Sequence, residues 1–177
     1  FDEVATRVAG GTVVPEEGQV VLCGADPCEG GTRTIKVDES VRRFRIFALA
    51  AEPGMAIQLT SPTATTRIDK PGPSTVGSAP VSAHAIAGRG YSIDVERPGK
   101  VEDWKGDWTV VLHDTTGKQE GKPVTFAHYL FTDVGIDFVK DKIPVIVRGE
   151  GVGIAAAPVI PKALGATLRE SKVVLRL

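Results

Sequence analysis

Residue types that carry chemistry are scarce in this chain. Histidine occurs three times, cysteine twice and methionine once in 177 residues. No H-E-x-x-H, G-x-S-x-G or D-x-D-x-D-G pattern occurs, so the short motifs of zinc peptidases, serine hydrolases and calcium loops are missing. An excess of one charge is also missing: 21 Lys and Arg face 22 Asp and Glu. That balance excludes a polybasic nucleic-acid footprint and a polyanionic tail. No apolar run approaches the roughly 18 residues a membrane-spanning helix needs. The start, Phe1-Asp2-Glu3, is neither a signal peptide nor a natural initiator, which predicts a trimmed fragment.

What is present is punctuation and alternation. Twenty glycines and twelve prolines interrupt short stretches rich in Val and Thr. Phe1, Val4, Ala5 and Val8 fall at helical spacing, with Asp2, Glu3, Thr6 and Arg7 opposite, and Gly10-Gly11 stops them. A short N-terminal helix is therefore expected, followed by a strand at Thr12-Val13-Val14 and a turn at Pro15–Gly18. From there the period becomes two. Strands are predicted at Gln19–Leu22, Thr32–Val37, Arg42–Ala50, Ala56–Thr60, Tyr91–Glu96, Asp107–His113 and Val124–Phe131. In the Asp107–His113 strand, Trp108, Val110 and Leu112 share one face and form the expected core anchor. Trp104, in a turn between charged residues, is expected to be more exposed.

Lys70–Gly90, with Pro71, Pro73 and Pro80 and several glycines, reads as a long surface loop, at most with one weak strand at Val81–Ala87. After Asp133-Val134-Gly135 the chain makes a new start, with strands expected at Ile143–Val147, Val152–Ala157 and Lys172–Leu177. The predicted organisation is a helix and linker over 1–16, a β-sandwich over 17–134, and strands of a second, incomplete sandwich over 135–177. The fold class is mostly β, an Ig-like or jelly-roll-type antiparallel sandwich.

Cys23 and Cys28 enclose Gly24-Ala25-Asp26-Pro27, a run of turn formers that can bring two thiols within bonding range. A structural disulfide is the reading the turn chemistry favours, and it implies an oxidising compartment. Free thiols are the alternative, then a redox pair, which favours two intervening residues, or half a zinc site, which needs two further ligands.

The run Gly106-Asp107-Trp108-Thr109-Val110-Val111-Leu112-His113-Asp114, closed by Gly117, resembles a strand of secreted bacterial β-sandwich modules. These are the Ig-like stalks beside von Willebrand factor A domains, the P domains of subtilisin-like proteases and the pre-peptidase C-terminal domains. Phe47-Ala48-Leu49 and Pro53–Pro62 resemble the preceding strand pair of such modules. Phe1–Val14 resembles the last helix of a von Willebrand factor A domain, F-x-x-(I/V)-A-x-x-x-G-G. The D-x-S-x-S metal signature of that family is absent, since Asp38-Glu39-Ser40 lacks the third member. The resemblance implies a secreted or cell-surface location and a stalk-like role.

Other constellations are set against plainer readings. His84, His113 and His128 offer a small metal-dependent hydrolase its ligands, with His113 and His128 expected on neighbouring strands, but strand histidines are commonly boundary residues. Glu102, Asp103 and Asp107 crowd one turn, which suits weak calcium binding, although Lys105 among them favours a solvated turn. Arg42, Arg43 and Arg45, with Arg33 and Lys36 nearby, read as an anion patch or a solvated face. Tyr91 and Trp104 are a sugar-stacking pair only if both are exposed. The expected function is a non-catalytic structural or adhesive module whose partner is another protein or a neighbouring domain, with no cofactor, metal or nucleic acid. The alternatives are an enzyme-accessory or carbohydrate-binding module and the histidine hydrolase.

Overall fold

The period-two alternation becomes strands in the computed structural model, which describes residues 11–14, 19–99, 103–133, 135–138 and 156–159. The chain divides into a unit over Phe1–Phe131 and a unit over Thr132–Leu177. In the first, a six-stranded sheet has the order β1 (Gly11–Val14), β10 (Thr125–Thr132), β3 (Val41–Leu49), β8 (Gly90–Glu96), β7 (Ala79–Ile86), β6 (Gly72–Val76). A four-stranded sheet has the order β2 (Thr32–Val37), β9 (Gly106–Asp114), β4 (Met55–Thr60), β5 (Thr65–Ile68). In the second unit, β11 (Gly135–Phe138) pairs antiparallel with β12 (Ala156–Val159). The fold is an antiparallel β-sandwich.

Alternation decides what lies between the sheets. Phe44, Ile46 and Ala48 of β3 and Ile93 and Val95 of β8 point in from one sheet. Ile35, Ile57, Leu59, Trp108, Val110 and Leu112 meet them from the other. Trp108, Val110 and Leu112 are all fully buried. An aromatic trio joins the layers: Phe44 stacks on Trp104 at 5.5 Å between ring centroids and meets Trp108 edge-on at 5.1 Å, while the two indoles are 5.4 Å apart. Such pairs add to the burial of large apolar rings.

The expectation that Trp104 is exposed is overturned: it is fully buried. Its charged neighbours turn outward instead, Asp103 accepting from the Ser78 hydroxyl at 2.7 Å and Lys105 pairing with Glu39 at 2.8 Å. The indole turns inward because its N–H has a partner there, the Val41 carbonyl at 2.7 Å.

The long loop expected over Lys70–Gly90 is also corrected, because most of it is the β6–β7 hairpin; the one weak strand allowed there, Val81–Ala87, falls within β7 but for its last residue. Gly77, at φ +58°, opens the two-residue turn between Val76 and Ala79. Pro73 is tolerated because β6 is a sheet edge, where a missing N–H breaks no ladder. Ala79, Val81 and Ala83 face in, while Pro80, Ser82 and His84 face out. The predicted strand at Gln19–Leu22 is reduced to bridging contacts with the segment before β10, such as Val124 N–H to Val20 O at 2.8 Å. The predicted N-terminal helix lies outside the described residues, where the helical element is a 3-10 turn at Glu29–Gly31. The strands expected at Ile143–Val147 and Lys172–Leu177, and most of Val152–Ala157, also lie outside them.

Candidate functional site

Strand register places four connections at one end of the sandwich. Leu49 pairs with Gly90, Met55 with Asp114 and Gly72 with Ala83, so residues 50–54, 69–71, 87–89 and 115–124 gather there. Connections of this kind are where β-sandwiches commonly bind partners.

The cysteine loop is fastened to the same end. Cys23 donates to Leu112 O at 2.8 Å and accepts from Asp114 N–H at 2.7 Å, extending the sheet beside β9. The Cys23–Cys28 disulfide closes the loop with 5.5 Å between Cα atoms, and Cys23 is fully buried. The Thr32 hydroxyl adds a bond to Cys28 O at 2.7 Å. Gly31 packs so tightly that a Cβ there would collide with Cys23 Sγ and lie 2.7 Å from Val21 O.

Two clefts lie on either side of Arg89. The first, about 440 Å³, is lined by Met55, Asp69, Pro71, Tyr91 and Thr115 together with Arg89. The second, about 580 Å³, has Val20, Leu49, Val124 and Phe126 along its wall. Arg89 is held between them by a bond from Nη1 to Ala51 O at 3.0 Å. In the first cleft the Tyr91 hydroxyl donates to Asp69 O at 2.7 Å. Burial, and then the Asp69 carboxylate, push the Tyr91 pKa up, so it stays a neutral donor at ordinary pH.

Asp114 organises the connection beside these clefts. Its Oδ1 accepts from Thr116 N–H and hydroxyl at 2.8 and 2.7 Å, and its Oδ2 accepts from Gln119 N–H at 2.6 Å. Burial pushes its pKa up, but the bonds from Gln119, Thr116 and Lys118 together outweigh that and bring it down to about 2. A depressed carboxyl pKa contributes stability that is present above the unfolded value, 3.8, and lost as pH falls through about 2. Chemical denaturation midpoints taken down this range should therefore fall more steeply for the wild type than for Asp114→Asn. Parallel profiles for the two proteins would remove Asp114 from that role.

The remaining predicted site residues are dispersed. His113 is on β9 in the four-stranded sheet, whereas His128 is on β10 in the other, because the β9–β10 connection crosses between sheets. The expectation that they sit on neighbouring strands is thus corrected. His84 is on β7, three strand spacings from β10, or about 14 Å. His113 Nδ1 lies 2.8 Å from Gly24 O; a carbonyl only accepts, so this nitrogen carries the proton and the ring braces the cysteine loop. Asp103 is engaged by Ser78 and Asp107 stands opposite Lys36, while Glu102 lies outside the described residues. Tyr91 is buried at 8% exposure and Trp104 is fully buried, so the two do not form a stacking platform. Arg45 grips Asp94 in a two-pronged contact at 3.0 and 2.9 Å, with Arg43 beside it at 3.7 Å.

The Arg89 clefts were missed from sequence because four connections, far apart along the chain, build them. No family model, no curated protein and no solved structure matches the chain.

Proposed function

We propose that this chain is a non-catalytic structural or adhesive β-sandwich module of a secreted or cell-surface protein, a stalk of the kind that accompanies von Willebrand factor A domains. The observation that carries the reading is the Cys23–Cys28 disulfide, buried at its Cys23 end, which pins a loop to the end of the sandwich where the connections converge. Disulfides persist in oxidising compartments, and this one supports a loop-bearing end rather than the core. The accessory-module reading, in its sugar-stacking form, has lost the pair of exposed aromatics it relied on.

The test uses the full-length protein in its native host. Membrane-impermeant labelling of intact cells, or recovery from the medium, should reach it, and thiol titration of the denatured, unreduced protein should find no free thiol at Cys23 or Cys28. Recovery from the cytosol with two reactive thiols would overturn the reading.

A further inference from the structure

At the opposite end of the sandwich, Arg42, Arg43, Glu96 and Arg97 line a cleft of about 480 Å³. We propose that this cleft binds the anionic group of an acidic polysaccharide, either a carboxylate or a sulfate. The inference deepens the adhesive reading and rests on it for biological meaning, but binding by the purified chain is measured separately from where the chain resides.

The site is built by strand register. Arg43 pairs with Glu96 across β3 and β8, and Arg97 N–H donates to Arg42 O at 2.9 Å, which sets Arg42 beside Arg97. Two of the three guanidinium groups are held in place. Arg43 lies over the Phe131 ring, 4.1 Å from its centroid, and Arg97 Nη1 donates to Glu39 O at 2.8 Å. Arg42 is exposed.

Charge then selects the ligand. Among the described residues, the lining carries three guanidinium groups against one carboxylate, Glu96, a formal +2. Asp94 touches the site, since it lies 3.7 Å from Arg43 Nε, but it is gripped by the fork of Arg45, and counting that pair in leaves the sum unchanged. Of the other described carboxylates nearby, Glu39 pairs with Lys105 and Asp38 accepts from the Ser40 amide and hydroxyl. A guanidinium group presents paired donors that match the two oxygens of a carboxylate or sulfate. Of the described lining side chains none is apolar, and the nearby Phe131 face is already covered by Arg43. An acidic peptide would find nowhere to seat flanking apolar residues, which protein interfaces rely on. A saccharide needs none, and Glu96 is placed to accept from its hydroxyls.

The test is calorimetric titration of the full chain with four defined probes: a uronic-acid oligosaccharide, a sulfated oligosaccharide, a neutral oligosaccharide of equal length and oligoglutamate of equal charge. One or both acidic saccharides should bind, weakening as salt rises, while the neutral one does not. Arg42→Glu should weaken binding by about tenfold or more, the usual value of a charge-assisted contact, with an unchanged unfolding midpoint. Arg67→Glu, an equal charge change at an exposed residue of the other sheet, should leave affinity within about twofold of wild type, because exposed charges further apart than a Debye length are screened. Absence of binding by both acidic saccharides overturns the proposal. So does equal or tighter binding of oligoglutamate, or equal loss in the two variants. Binding by a chain that fractionates to the cytosol would instead keep the site and overturn the adhesive reading.

Discussion

Trp104→Ala is expected to destabilise the sandwich by about 3–5 kcal/mol, as large as the loss from Trp108→Ala, since both remove a fully buried indole from the core. The two rings are also linked in series. Trp108 Nε1 donates to Trp104 O at 2.8 Å, and Trp104 Nε1 donates to Val41 O at 2.7 Å. Truncating Trp104 thus removes the hydrogen bond from the Val41 carbonyl and two ring contacts from Phe44 and Trp108. Because the indoles touch, the double variant should cost less than the sum of the single ones. Denaturant melts of the three proteins measure both effects. A Trp104→Ala midpoint close to wild type would mean that the segment before β9 does not close the core.

Local pattern sufficed wherever a strand paired large apolar residues with polar ones. The predicted Thr32–Val37 strand coincides with β2, and those at Arg42–Ala50, Tyr91–Glu96 and Asp107–His113 lie within one residue of β3, β8 and β9 at either end. Of the β6–β7 hairpin only a weak strand at Val81–Ala87 was legible, because its inward face is made of small residues, Ala79, Val81 and Ala83, amid prolines that usually mark loops. Alternation was there, but at low amplitude. β5 offers one buried residue, Ile68, and left almost no trace. Trp104 failed for another reason: its direction is set by a carbonyl 63 residues away, which no local window can contain. The candidate site was legible where its chemistry is local, as in the Cys23–Cys28 loop. Its clefts depend on register between strands, which alternation alone does not specify.

Gly90→Ala should be the most damaging single-methyl change in the sandwich, costing about 3 kcal/mol or more, at or above the upper end of ordinary overpacking. A Cβ at this position would collide with the Ala48 carbonyl oxygen and lie 2.9 Å from Leu49 Cα. These are backbone atoms of the partner strand, so no side chain can rotate away, and β8 itself must retreat. Gly90 opens β8 opposite Leu49, between Arg89, which divides the two clefts, and Tyr91, which bonds to Asp69 O. The displacement should therefore reach the cleft end as well as the core. Melting of Gly90→Ala beside Gly88→Ala provides the comparison. Gly88 has open space where a Cβ would stand, and its φ of +67° makes the change a matter of backbone strain alone, worth about 1–2 kcal/mol. If Gly90→Ala is the milder of the two, then β3 and β8 do not approach as closely at this end as their pairing requires.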